Sequence, residues 1–289
     1  MIISRTPFRI SFFGGGTDYP AWYRENGGMV LATTIDKYCY INCRYLPPFF
    51  EHKHRIVYSN IENVKSIEEI QHPSVRAVLN YYQFQDGIEI HHDGDLPARS
   101  GLGSSSSFTV GLINVIKALN GKYISKEELA REAINIEQNV INECVGSQDQ
   151  ISAAFGGFNH IEFMQNDTFQ VRPIILRKGR LKELNDNLML FFTGLSRNAP
   201  EVAESQINNF KNRETELMRI KDMVYEAISI LESENSLSGF GNLLHETWVN
   251  KRKLSSKVSN TEIDDIYNVA MANGAVGGKL LGAGGGGFM

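Results

Sequence analysis

Three stretches of this chain carry residue types and spacings that can do chemistry. Pro97 to Ser107 reads P-A-R-S-G-L-G-S-S-S-S. Gly101 and Gly103 lack a Cβ, so backbone can close on a phosphate, and the serines bring hydroxyls for phosphate oxygens or a metal ion. Glu137 falls on the stripe Ala130, Ile134, Glu137, Ile141, at a place where a helical pattern calls for an apolar side chain. An inward carboxylate has to be paired, neutralised or bound to a metal; an internal salt bridge is the plain alternative. Asp149 stands in Gly146-Ser-Gln-Asp-Gln-Ile151. A carboxylate held within about 3 Å of a hydroxyl can take its proton, although a lone aspartate also serves as a helix cap or turn residue.

The surrounding pattern says what must hold these groups. Ile88 to His92 alternates like a strand, and Phe108, Gly111, Leu112, Val115 and Leu119 fall on one helical face. The first stretch is therefore a strand, a Gly/Ser loop and a helix N-terminus. That end presents unpaired N–H groups and the positive end of the helix dipole, an anion site; an ordinary Ser-rich N-cap is the alternative. Upstream, Phe8, Ile10 and Phe12 alternate with Arg9 and Ser11, a half-buried strand with Arg9 off the apolar side. Gly14-Gly15-Gly16 permits a sharp turn or a close approach to a ligand, and Asp18 follows; a surface Arg and an Asx-turn would read the same way. Gly27–Ile35 and Lys37–Arg44 read as strands around Asp36-Lys37, a solvated turn or a ligand contact. Ile56–Ser59 reads as a strand, Pro73–Tyr82 as a short helix, and Ser125-Lys-Glu-Glu128 as a capping box opening the helix that carries Glu137.

Phe158–Phe163, Phe169–Leu176 and Leu188–Thr193 read as three strands, after which Arg197 sits in a polar loop. Helices are expected over Pro200–Ser233 in two pieces, around Phe240–Trp248, and from Thr261 to Gly274. Gly277 to Phe288 is glycine-rich and contains Gly282, Gly284 and Gly287 in a G-x-G-x-x-G spacing. A dinucleotide site is excluded, because that motif needs a helix opening on its last glycine and an acidic residue about 20 positions on. The pairs His52/His54 and His91/His92 have no Cys or carboxylate at ligand spacing, which speaks against a metal there.

With 289 residues, 42% hydrophobic and 21% charged, the composition is that of a globular protein of one large or two small domains. A net charge of −4 gives no global basic field for nucleic acid, so an anionic ligand must be held by local groups. Three cysteines without C-x-x-C suggest free thiols in a reducing compartment. No signal peptide and no apolar run near 18 residues is visible. The expectation is a soluble cytoplasmic protein with no nucleic acid or membrane partner, either monomer or homo-oligomer.

The order Pro-x-x-x-Gly-Leu-Gly-Ser-Ser resembles the phosphate loop of the GHMP small-molecule kinases; no Walker Gly-x-x-x-x-Gly-Lys-Ser/Thr occurs. Two further motifs agree in the same order: the strand arginine followed by Gly16-Thr17-Asp18-Tyr19, and the C-terminal glycine loop. The Gly-Gly-Gly-Thr-Asp turn together with G-G-x-V-L-x-T-T-I-D-K-Y-C-Y is similar to the subfamily of D-glycero-D-manno-heptose 7-phosphate kinases, which phosphorylate the anomeric oxygen of a seven-carbon sugar phosphate. Galactokinases carry Gly-Glu-His where Gly14, Gly15 and Gly16 stand, so this chain departs from them at the sugar.

The resemblance implies an α+β, two-lobed GHMP-kinase-like fold with mixed or antiparallel sheets, an N-terminal domain of 1–155 and a C-terminal domain of 156–289, with nucleotide and substrate in the cleft between them. Family members continue past the point that matches Met289, so truncation there is expected. ATP and Mg2+ are the implied cofactors. Pro97, Arg99, Ser100, Gly101, Leu102, Gly103, Ser104, Ser105 and Ser106 would bind the triphosphate, and Ser105 with Glu137 the Mg2+. Asp149 would be the base and Arg9 its charge-stabilising partner. Gly15, Gly16, Thr17, Asp18, Asp36, Lys37, Arg197, Lys279, Gly284 and Gly285 would meet the acceptor, a sugar phosphate. Another GHMP sugar kinase, fucokinase- or galactokinase-like, and a non-catalytic sugar and ATP sensor of the same fold are the alternatives.

Overall fold

The computed structural model describes residues 1–98, 100–195 and 199–289. Two long strands organise it. β1 (Ile2–Phe13) lies antiparallel to β2 (Gly28–Tyr45), with register shifts at Pro7/Arg9 and at Ser11/Phe13. The turn between them carries α1 (Pro20–Asn26). β2 is one continuous strand, where two strands around a turn at Asp36-Lys37 were expected. Its β-branched and aromatic content favours extension throughout, and its length lets it serve two neighbours on one edge. β6 (Phe158–Phe163) pairs with its first residues and β5 (Ile88–Gly94) with its last, both antiparallel. β3 (His54–Val57) adds parallel to β5, β4 (Ile61–Val64) pairs with β3, and β7 (Phe169–Pro173) pairs with β6, giving a mixed sheet ordered β4-β3-β5-β2-β6-β7 with β1 on β2. The expected boundary near residue 155 precedes β6, which joins this same sheet.

α2 (Pro73–Tyr81), α3 (Ser104–Leu119), α4 (Lys126–Asn135) and α5 (Gln148–Phe155) follow in the first half. α2 and α3 cover one part of the sheet, where Phe8, Ile41, Ile88 and Ile90 meet Val78, Leu112, Ile113 and Ile116. Ser125 caps α4 through the foreseen capping box with Glu128. After Asn135 the helix widens into a π-turn over Ile136–Val140, with Ile141 N–H donating to the Ile136 carbonyl; such π-turns recur at functional sites.

In the second half come α6 (Lys178–Asp186), α7 (Ala199–Ile207), α8 (Glu214–Glu232), α9 (Ser238–Lys253) and α10 (Thr261–Ala272). A second core joins the far end of β1 to these helices: Phe12 and Phe13 meet Phe240 edge-on with ring centroids 5.5 and 5.0 Å apart, among Leu217, Met223 and Leu244. One strand thus enters two cores, and the cleft opens between them. Asn260 caps α10 from its side chain, one residue before the expected start at Thr261.

Two expectations about strands fail here. β7 stops at Pro173, with one last bond from Ile174 N–H to the Phe158 carbonyl at 2.8 Å, and Leu188–Thr193 forms no strand. Leu188 N–H closes the preceding helix on the Asn185 carbonyl, while Phe191 and Thr193 pair with Met289 and Gly287 around a single bridge between Phe192 and Phe288.

Candidate active site

β1 brings Arg9 beneath the Gly/Ser loop. The Arg9 N–H donates to the Leu102 carbonyl at 3.0 Å, and its Nη1 to the Gly101 carbonyl at 2.7 Å. Nε and Nη2 donate to the two carboxylate oxygens of Asp149 at 2.7 and 2.8 Å. This bidentate fork fixes the carboxylate in position and angle, which a lysine would not do. Arg9 is buried, while a quarter of the Asp149 side chain is exposed, so the pair is anchored on the Arg side and open on the Asp side. Gly103, in left-handed conformation at φ 74°, is the N-cap of α3. A Cβ there would stand 3.3 Å from Arg9 Cγ and 3.4 Å from Asp149 Oδ2, so glycine lets loop, arginine and aspartate converge. Gly103 brings no side chain to cap α3, and a helix N-terminus of this kind suits an anion.

Glu137 is fully buried on the π-turn. Its Oε2 accepts from the Ser106 hydroxyl at 2.8 Å and from the Gln150 amide, whereas Oε1 is buried without a partner among the described residues. Burial pushes its pKa up to about 7 against the pull of the hydrogen bonds from Ser106 and Gln150. The hydroxyl beside it is that of Ser106; Ser105, the expected partner, is exposed on the cavity side. The reason is helical phase: Ser106 and Thr109 sit three residues apart on the face turned to the π-turn, and Ser105 lies off that face. A carboxylate with one orphaned oxygen, beside the Ser106 hydroxyl, is donor chemistry that suits a hard cation.

A cavity of about 1170 Å³ opens over these groups. At one end are Tyr58, His72, His92 and Phe108; His72 stacks on Phe108 with centroids 4.6 Å apart, and His92 meets the same ring edge-on at 5.0 Å. Burial, with His92 nearby, lowers the His72 pKa to about 4, so this wall is neutral and aromatic near neutral pH. Of the expected strand Ile56–Ser59, Ile56 and Val57 end β3, while Tyr58 and Ser59 lie past it and line this wall. At the other end are Gly15, Gly16, Asp18, Gln148, Gln206, Lys251, Lys279 and Ala283. Asp18 is buried and accepts from the Gly16 N–H at 3.0 Å; burial first and the nearby Asp149 second raise its pKa. Gly146 passes so close that a Cβ would lie 1.9 Å from Asp18 Oδ2. Lys279 donates to the carbonyls of Ser11 and Phe12 at 2.9 and 3.0 Å, and burial, with Arg9 nearby, lowers its pKa to about 7. The C-terminal loop closes beside the phosphate loop: Phe288 N–H donates to the Ser100 carbonyl at 3.0 Å, and a Cβ on Gly287 would lie 2.2 Å from that oxygen.

Several expected contacts lie elsewhere. Asp36 and Lys37 are exposed on β2, in the gap between its pairing with β6 and with β5, and do not line the cavity. Thr17 is buried in the turn, donating to the Gly14 and Met29 carbonyls. Gly284 and Gly285 pack against Val258, and it is Gly282 and Ala283 that face the cavity. Pro97 is exposed, Ser100 is buried behind the loop and Leu102 lies in the first core. Arg99 and Arg197 lie outside the described residues. Missed from the sequence were Gln148, Gln206 and Lys251. Lys251 had a legible signal, since it continues the stripe Phe240, Leu244, Trp248 at i+3, as Glu137 does on its own helix. Its Nζ donates to the Leu280 carbonyl at 3.0 Å and to Gly282.

A phosphate loop at a helix N-terminus, an arginine-clamped carboxylate and a cleft between two lobes define an enzyme of phosphoryl transfer. The chain belongs to the GHMP kinases: the profile of the GHMP kinases N terminal domain matches residues 70–157, and that of GHMP kinases C terminal matches residues 224–289. It is therefore an ATP-dependent phosphotransferase. It is 30% identical to the D-glycero-alpha-D-manno-heptose 7-phosphate kinase of Campylobacter jejuni, over 100% of this chain and 88% of that one. It is 26% identical to the galactokinase of Pyrococcus furiosus, over 99% and 87%. Among solved structures, a D-glycero-D-manno-heptose 1-phosphate kinase from Bacteroides thetaiotaomicron superposes with a TM-score of 0.80 at 25% identity, covering 100% of this chain and 87% of that one. No helix among the described residues is long and apolar enough to cross a membrane.

Proposed function

We propose that the protein is a sugar kinase that transfers the γ-phosphoryl of ATP to the anomeric hydroxyl of D-glycero-D-manno-heptose 7-phosphate, giving the 1,7-bisphosphate for nucleotide-activated heptose and surface polysaccharide. The observation that carries this reading is the Arg9–Asp149 fork at the mouth of the Gly101–Ser106 loop, in a chain similar over its full length to heptose phosphate kinases. The triphosphate lies on the loop and the first turn of α3, with the adenine toward Phe108 and His72. Asp149 accepts a hydrogen bond from the attacking hydroxyl and orients it. Arg9 holds that carboxylate in position and faces the charge that develops on the transferred group. Phosphoryl transfer of this kind depends mainly on positioning and charge stabilisation, so the fork's rigidity matters more than its basicity. Glu137, with the Ser105 and Ser106 hydroxyls, would hold Mg2+, which when bound neutralises phosphate charge. Asp18 and Gln148 meet sugar hydroxyls, and Lys279 or Arg197 the phosphate already on the sugar.

ADP release with Mg2+ and a panel of heptose 7-phosphate, unphosphorylated heptose, fucose and galactose tests the reading. Turnover confined to heptose 7-phosphate is expected. Turnover of a free sugar would retain the kinase and reject the substrate, and ATP binding without turnover of any sugar would favour a sensor.

A further inference from the structure

Two donors hold the Glu137 carboxylate, and both reach the same oxygen. The Ser106 hydroxyl donates to Oε2 at 2.8 Å and the Gln150 amide donates to it as well, while Oε1 accepts nothing from the described residues. Either oxygen of a carboxylate can accept. Two donors gathered on Oε2 therefore turn the group, with one edge engaged in the protein and the other left over.

Gln150 is fully buried. Its NH2 faces Glu137, because an amide oxygen there would be repelled by the carboxylate, and Gln150 Oε1 is then buried without a partner among the described residues. Glu137 and Gln150 thus hold one orphaned oxygen each, which costs stability and which an apolar pair would avoid. What the pair provides instead is direction. Both of its ends are fixed. Gln150 lies in the first turn of α5, directly after Asp149 and its fork with Arg9. Gln138, beside Glu137 on the π-turn, donates to the Val145 carbonyl at 3.1 Å and to Ser147 Oγ at 3.0 Å, where α5 begins. Two amides, one from each side, tie the π-turn to the start of α5.

We infer that Gln150 is a positioning residue for the cation site: with Ser106 it engages Glu137 Oε2 and so leaves Oε1 as the oxygen available to Mg2+. This rests on the reading of Glu137 as a ligand of that cation under the proposed function, and it adds the group that aims the ligand. Asp149 and Gln150 are neighbours, so one turn of α5 sets both the carboxylate that orients the attacking hydroxyl and the amide that orients Glu137.

The test reads metal binding apart from turnover. Mn2+ serves as the probe, and its affinity for the enzyme–ADP complex is followed by EPR of the free ion in wild type, Glu137→Gln, Gln150→Ala and Gln150→Met. Methionine keeps most of the side-chain volume and cannot donate. Loss of a group that orients a metal ligand typically costs about 10–100-fold in affinity. The Mn2+ dissociation constant should therefore rise about 10-fold or more in both Gln150 variants, with the affinity for metal-free ADP within about twofold of wild type. Added to Glu137→Gln, Gln150→Met should bring no further loss. Thermal unfolding checks the fold, and Gln150→Met carries the test if Gln150→Ala does not fold. Mn2+ affinity within about twofold of wild type in Gln150→Met, or an undiminished loss in the Glu137→Gln background, would overturn the inference and leave Glu137 in its place. A wild type that binds Mn2+ no more tightly than Glu137→Gln would remove Glu137 from the cation site and the inference with it, whatever sugar the enzyme turns over.

Discussion

Replacing Asp149 by Asn changes the charge of the fork and little of its shape. The carboxylate accepts two donors from Arg9, at 2.7 and 2.8 Å. An amide offers one acceptor oxygen, and its NH2 then faces a guanidinium N–H. One charge-assisted bond is lost, worth about 1.5–3 kcal/mol. Stranding one member of a fully buried ion pair costs about 3–5 kcal/mol. The lower range applies because Asp149 is a quarter exposed and Arg9 keeps its bond to the Gly101 carbonyl. At about 2–4 °C per kcal/mol for a chain of this order, the unfolding temperature should fall by roughly 4–10 °C. Turnover should fall further, by roughly 100-fold or more, because the group that orients the attacking hydroxyl has lost its charge. ADP release at saturating ATP and sugar measures this, with KM for ATP expected to stay near wild type. Arg9→Ala and the double variant complete a cycle: if the two side chains act as one unit, the double variant is no slower than the worse single one. An Asp149→Asn enzyme with kcat within about threefold of wild type would refute the assignment.

Other outcomes follow from the same geometry. Glu137 has a folded pKa of about 7, above its ordinary value of 4.5, so the fold favours its protonated form. Its contribution to stability is present below about pH 4.5 and is lost as pH rises toward 7 and above. In EDTA, Glu137→Gln should therefore show a flatter dependence of unfolding temperature on pH between 5 and 8, and in activity assays it should need more Mg2+. Gly14→Ala must strain a left-handed residue against the Met29 carbonyl, so it should unfold several degrees below Gly15→Ala in a side-by-side melt. Gly287→Ala would drive a methyl into the Ser100 carbonyl and should raise the KM for ATP more than that for the sugar. Lys279→Met leaves the Ser11 and Phe12 carbonyls without their donor and should lower stability by about 1–3 kcal/mol in urea titration.

What was legible in the sequence followed from local rules. The strand, loop and helix around Gly101 need only period-two and helical patterns, and the capping box at Ser125 is a four-residue signal. Glu137 stood out because a carboxylate broke an apolar stripe. What stayed hidden depends on partners far along the chain. Nothing in Gly28–Tyr45 says that one strand will serve β5 and β6 on the same edge, so Asp36 and Lys37 read as a turn when they are an exposed mid-strand gap. The choice of Ser106 over Ser105 is a matter of helix phase against a π-turn that periodicity does not announce. Within the glycine loop, composition marks the whole segment, but only packing against Val258 and Ser100 separates the glycines that close the fold from those that face the cavity.

The central claim is that Arg9, Asp149 and the Gly101–Ser106 loop transfer phosphate to the anomeric oxygen of a sugar phosphate. The most direct measurement is 31P NMR of the product formed from Mg-ATP and D-glycero-D-manno-heptose 7-phosphate. The account predicts one new phosphomonoester signal, coupled to the anomeric proton and growing in step with ADP while the 7-phosphate signal persists. A new signal coupled to any other sugar proton, or ADP without a sugar product, would contradict it.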